Sequence, residues 1–145
     1  MDWQTALQLI LSVLFGAVIG LERELKRKGA GLQTYSLVSL GSCLLVMVGL
    51  RFFDIFSGLD SVHFDPSRLI LAVATGIGFI GAGVIIYKQA RVEGITTAAG
   101  LWVVAAIGVA VGAEFYLLAL ATFVLATIIL IGFGELERLF LEKEK

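Results

Sequence analysis

Residues 115–133 read FYLLALATFVLATIILIGF, nineteen positions without a charge or a proline. A helix rises about 1.5 Å per residue and bilayer hydrocarbon is about 30 Å thick, so this run has the length of a membrane crossing. Four more apolar runs come before it: Trp3 to Leu21, Thr34 to Phe53, Leu69 to Tyr87 and Ile95 to Val111. Charges gather at the ends of these runs, and their deep parts carry none. The pattern predicts an all-α polytopic membrane protein with five transmembrane helices in a single domain, residues 1–145, ending in a short tail over residues 134–145.

Composition agrees with that reading. With 59% hydrophobic residues and a mean hydropathy of +0.97, the chain has too little polar surface to cover a water-soluble domain of 145 residues. The first run lacks a basic leader and exceeds the usual length of a signal-peptide core, so it is expected to remain in the protein. Nucleic acid is excluded as a partner, because the only basic run, Arg23 to Lys28, is interleaved with Glu22 and Glu24. Cys43 is the sole cysteine, which rules out an intrachain disulfide and leaves a thiolate metal site without partners.

Orientation follows from the cations, since short cytoplasmic loops are enriched in Lys and Arg. Arg23, Lys26, Arg27, Lys28, Lys88, Arg91, Arg138, Lys143 and Lys145 lie on one side, and only Arg51 and Arg68 on the other. The amino terminus is therefore expected outside and the carboxyl terminus in the cytoplasm. Asp65-Pro66 is a helix-start pair that should open the third helix. Trp3, Tyr35, Tyr87 and Tyr116 are expected at water boundaries, whereas Trp102, about 10 Å into the fourth run, is expected to pack internally. The connection Gly112 to Glu114 is short enough to force the last two helices into a tight antiparallel hairpin.

Small residues mark where membrane helices approach one another, because lipid offers helices little hydrophobic incentive to associate. In the third run Gly76 and Gly83 share one face, and Gly78 and Gly81 project to another. Two smooth faces predict a central helix clasped between neighbours, or one that breaks and exposes carbonyls. The spacing of Gly76, Gly78 and Gly81 matches a dinucleotide-binding turn, but it lies inside an apolar helix rather than after a strand, so that reading is rejected. Gln4, Gln8, Ser12, Gly16 and Gly20 trace a polar and small stripe that should face protein. Gly16 to Glu22 and Gly108 to Glu114 both read GxxxGxE, which suggests an inverted pair of hairpins arranged about the third helix.

Several ordered motifs together resemble one known family. Gly20-Leu21-Glu22-Arg23-Glu24, Ala30-Gly31-Leu32-Gln33-Thr34, Leu37 to Ser42, the glycine-rich Gly76 to Gly83, and Gly94 to Trp102 are similar to the amino-terminal membrane domain of the MgtC/SapB family over roughly residues 5 to 115. Gln33 replaces the arginine expected there, so no cationic role is carried to it. The chain resembles the short form, without a soluble carboxyl-terminal domain. The resemblance implies a multi-pass protein of the bacterial inner membrane, associated with adaptation to low magnesium and with survival inside host cells. It points to Glu22, Arg23, Glu24, Thr34, Thr96, Thr97 and Trp102 as functional positions, beside the packing glycines Gly16, Gly20, Gly76, Gly78, Gly81, Gly83, Gly108 and Gly112.

Chemistry narrows the function further. No paired base and nucleophile and no cofactor fingerprint in a workable setting is present, so neither enzymatic activity nor a cofactor is expected. Magnesium usually binds through one or two carboxylates, and none lies deep in a span, so no metal site is assigned. His63 could titrate near pH 6.5, but a lone loop histidine is ordinarily just solvated. The expectation is a regulatory module that binds the bilayer and another membrane protein, assembled as a homo-oligomer, with a dimer the first guess. The alternative is a magnesium or other small-ion transporter or channel.

Overall fold

A computed structural model describes residues 3–58, 65–88 and 91–142. Helix α1 covers Trp3–Leu25, α2 Leu32–Phe56, α3 Ser67–Val84 and α4 Ile95–Gly112. Between α3 and α4 lies a two-stranded antiparallel hairpin, β1 Ile86–Lys88 and β2 Arg91–Glu93, with Tyr87 opposite Val92. The chain then continues as α5 Tyr116–Ile128, a π-helical segment Ile129–Phe133 and α6 Gly134–Glu142. Five helices are long and apolar enough to cross a membrane, the fifth over Tyr116–Leu136. His63 and Asp60, in the long loop, lie outside the described residues.

The expected boundaries hold at most ends. Asp65 accepts hydrogen bonds from the Ser67 backbone N–H (3.0 Å) and hydroxyl (2.6 Å) just ahead of α3. The turn after α4 closes through Ala113 N–H to Val109 O and Phe115 N–H to Ala110 O, giving the tight α4–α5 hairpin. The third helix ends earlier than its hydropathy suggests, at Val84, and Ile85 to Tyr87 leave it for the hairpin. Apolar β-branched residues serve a strand as well as a helix, so hydropathy alone does not separate them. Within its bounds α3 is unbroken despite four glycines.

Helices α1, α2 and α4 pack directly on one another and form the core. Here the structure corrects the prediction that α3 is central. Of the spanning window in α4, 56% is buried inside the protein, against 11% in α3. A helix apolar all round is a buried one, and beyond its first turn α4 has no polar side at all. Helix α3 lies outside it, touching α4 and, less extensively, α2. Helices α2 and α4 meet face to face, with α3 to the side of that contact.

Glycines permit these contacts. A methyl group at Gly16 would lie 2.6 Å from the Tyr35 carbonyl oxygen, and one at Gly112 2.6 Å from that of Cys43. A methyl group at Gly108 would strike the Ser39 carbonyl, and one at Gly20 would lie 2.9 Å from the Gly31 carbonyl. Both GxxxG segments therefore serve the same end, laying α1 and α4 against the backbone of α2. The polar stripe of α1 faces protein at Gln8 and Ser12, while Gln4 is exposed. Gln8 donates across the core to the carbonyls of Val111 (3.2 Å) and Gly112 (3.3 Å). Phe15 of α1 stacks on Phe123 of α5 at 4.8 Å between ring centroids, which attaches the fifth helix.

Candidate functional site

At the end of the bundle where α1 stops and α4 begins, charged side chains meet. Arg23 is 4% exposed and donates from Nε (2.5 Å) and Nη2 (2.8 Å) to the two carboxylate oxygens of Glu22. Lys26, one turn on, reaches the same carboxylate at 2.9 Å and stands 3.9 Å from Glu135 of α6. Glu22 and Lys26 are spaced i to i+4 at the end of α1, so their pairing needs only helical geometry. Glu24 behaves differently: it accepts the Leu32 N–H at 3.2 Å and so closes the turn into α2. Gly31 leaves room for it, since a methyl group there would overlap the Glu24 carboxylate.

Tyr35 adds the next layer. Expected at a water boundary, it is fully buried and donates its hydroxyl to the Thr97 carbonyl at 2.9 Å. Gly100 faces that hydroxyl, and any side chain there would displace it. The start of α4 is set by Gly94, whose φ of +92° is a left-handed conformation that glycine adopts without strain. A methyl group there would also collide with the Val84 carbonyl. The sharp exit from the hairpin into α4 thus depends on this residue.

These elements enclose a cleft of about 700 Å³. Arg23, Lys26 and Lys28 line one side, Gly94 to Thr97 another, and Ile129, Leu130 and Phe133 of the π-helical segment a third, with Gly134 and Glu135 at its edge. Segments of π-helix interrupt helices at functional sites more often than elsewhere. Of the predicted functional residues, the structure brings together Glu22, Arg23, Thr96 and Thr97, with Glu24 at the adjoining turn. Thr34 belongs instead to a groove between α2 and α3, of about 480 Å³, lined also by Gly41, Ser42, Ala72 and Gly76. Trp102 lines neither; it is 54% exposed and borders a small pocket with Ile70 and Val73 of α3, so its expected internal packing is not found.

Sequence reasoning named Lys26, Lys28 and Tyr35 without assigning them to the site, and passed over Glu135. Gly100, three residues after Thr97, was the available signal for Tyr35: a glycine within a buried helix marks a large neighbour. Of the predicted packing glycines, Gly81 meets Ala98 of α4 at ordinary contact distance, while Gly76, Gly78 and Gly83 meet nothing within 4 Å. Among the described residues no group of three or more His, Cys, Asp or Glu side chains could hold a metal ion.

Comparison with known proteins now supplies a family. The profile described as MgtC family matches residues 9–139. The chain is 42% identical over 130 residues to YhiD of Escherichia coli (strain K12), whose name proposes it as a magnesium transporter; the match covers 90% of this chain and 60% of that one. It is 43% identical over 116 residues to SapB of Bacillus subtilis (strain 168), covering 79% of this chain and 50% of SapB. It is 40% identical over 109 residues to MgtC of Brucella abortus (strain 2308), covering 75% and 42%. The chain therefore spans about half the length of these curated relatives. No solved structure matches it. A family profile that runs through four of the five membrane-crossing helices and most of the first makes the conclusion plain: the chain belongs to the MgtC family, as a multi-pass protein of the bacterial inner membrane.

Proposed function

We propose that the chain is a non-enzymatic regulatory module of the inner membrane that works by docking a transmembrane helix into the groove between α2 and α3. The observation that carries this reading is the open glycine face of α3. Gly76 and Gly41 line the groove from opposite helices with no atom within 4 Å of where a side chain would stand. In lipid, smooth small-residue faces are the places where helices of separate chains approach closely. The docked helix comes from another inner-membrane protein or from a second copy, which makes a homodimer the simplest assembly. The amino terminus lies outside and the end bearing Arg23 and Lys26 faces the cytoplasm, in keeping with the nine cations on that side. The role is exercised under magnesium limitation and during survival in host cells, as the family resemblance implies.

Cysteine crosslinking in native membranes tests this. With cysteines placed at Gly41 and Gly76 in a chain carrying Cys43→Ser, a crosslinked species is expected. Gly76→Leu in a chain crosslinkable elsewhere should abolish association and leave folding intact. A strictly monomeric chain that retains no membrane partner would defeat the reading.

The name of YhiD favours a second reading, magnesium transport. Against it stand the confinement of carboxylates to the ends of the spans and the buried Arg23 at one mouth, which repels a divalent cation. Proteoliposomes loaded with a magnesium-sensitive dye decide between them. No uptake above empty vesicles is expected, whereas uptake abolished by Glu22→Gln would establish transport.

A further inference from the structure

The cleft beside Arg23 has a composition that the docking reading does not use. Three cations, Arg23, Lys26 and Lys28, face one carboxylate in its lining, that of Glu135. Glu22, outside the lining, binds Arg23 and Lys26 and leaves a positive surplus. Arg23 is the telling residue. Its guanidinium carries five N–H donors, of which Glu22 accepts from Nε and Nη2, and among the described residues no other group accepts from it. Its remaining donors are not sealed in the core, since among the described residues the Ser39 hydroxyl is the one buried side-chain polar atom without a partner, so they are left to the cleft that Arg23 lines. The opposite wall supplies more donors. Helix α4 opens on Gly94 with no side-chain cap, and its first backbone hydrogen bond runs from the Ala98 N–H, so the N–H groups of Ile95, Thr96 and Thr97 point out of the helix end.

The remaining wall is apolar, formed by Leu130 and Phe133 at the level where the fifth span ends. Cations and free N–H groups beside an apolar wall at a membrane boundary fit an anion that is polar at one end and rooted in hydrocarbon at the other. We infer that this cleft is a binding site for a phosphate-bearing anion, held between the Arg23 guanidinium and the first turn of α4. Lys26 and Lys28 add attraction at the rim, and Glu135 opposes it. The phosphate of an anionic lipid headgroup and free inorganic phosphate share this chemistry.

Two arms separate the sources. In the first, native mass spectrometry of the detergent-solubilised protein measures retention of phosphatidylglycerol against phosphatidylcholine. In the second, thermal unfolding is followed as inorganic phosphate is titrated at constant ionic strength. Preferential retention of phosphatidylglycerol assigns the site to a headgroup, and stabilisation by phosphate assigns it to the soluble ion. In whichever arm responds, Lys28→Gln is expected to weaken binding about fivefold, the effect of one cation near a membrane surface. Lys26→Gln should weaken it similarly and Glu135→Gln should strengthen it. Arg23→Gln should abolish it, but that variant risks the fold, so the exposed Lys28 carries the decision. Neither preference nor stabilisation, or a response that Lys26→Gln and Lys28→Gln leave unchanged, overturns the inference.

Discussion

Gly108 and Gly76 are chemically the same residue in two helices of one bundle, yet a methyl group has opposite consequences at the two positions. At Gly108 it would strike the backbone carbonyl of Ser39, which cannot swing aside as a flexible side chain can; at Gly76 it would meet nothing. Gly108→Ala should therefore cost about 1–3 kcal/mol, the range for overpacking a well-packed core. Gly76→Ala should leave stability unchanged, and denaturant titration in micelles measures both. Adjacent residues of the site were legible in the sequence, because Glu22, Arg23 and Lys26 share one turn and their pairing needs only helical geometry. Glu135 and Tyr35 were not, since their places in the site depend on α6 and α4 returning to α1 and α2.

Helix α3 shows how far local signals reach. Its start was readable from Asp65-Pro66, and the hydrogen bonds from Ser67 hold the Asp65 carboxyl below its ordinary pKa of 3.8. The depressed value means that this contact helps the helix start at pH above the ordinary carboxylate range and is lost as pH falls through the lowered pKa. Ser67→Ala should move the Asp65 titration up toward 3.8, as read by carbon-detected NMR of the carboxyl. The other end of α3 was hidden, because Ile85 to Tyr87 are as apolar as the helix before them, and only the pairing of Ile86–Lys88 with Arg91–Glu93 makes a strand. The π-helical segment after Ile128 left no mark in the hydropathy pattern either, although it supplies the apolar wall of the cleft.

For the whole molecule, the cleft and the groove differ in what they present: the first gathers charged side chains at one end of the bundle, and the second offers a smooth, largely apolar face. Their placement in the cell depends on orientation. Reporter fusions after Lys28 and after Lys145 should both report the cytoplasm, and one after Gly58 the opposite side; an external signal at Lys28 would reverse the orientation. What the sequence determined by itself is the number of crossings, most of their limits and the charge bias between the two ends, because run length and charge are properties of residues read in order. What only the tertiary structure decided is that α4 is enclosed while the glycine-rich α3 stays outside, and that Arg23 and the first turn of α4 line one cleft. The physical reason is that lipid and a neighbouring helix are equally apolar surroundings, so composition does not say which one a smooth face meets. That is settled by which backbones come close enough to exclude lipid.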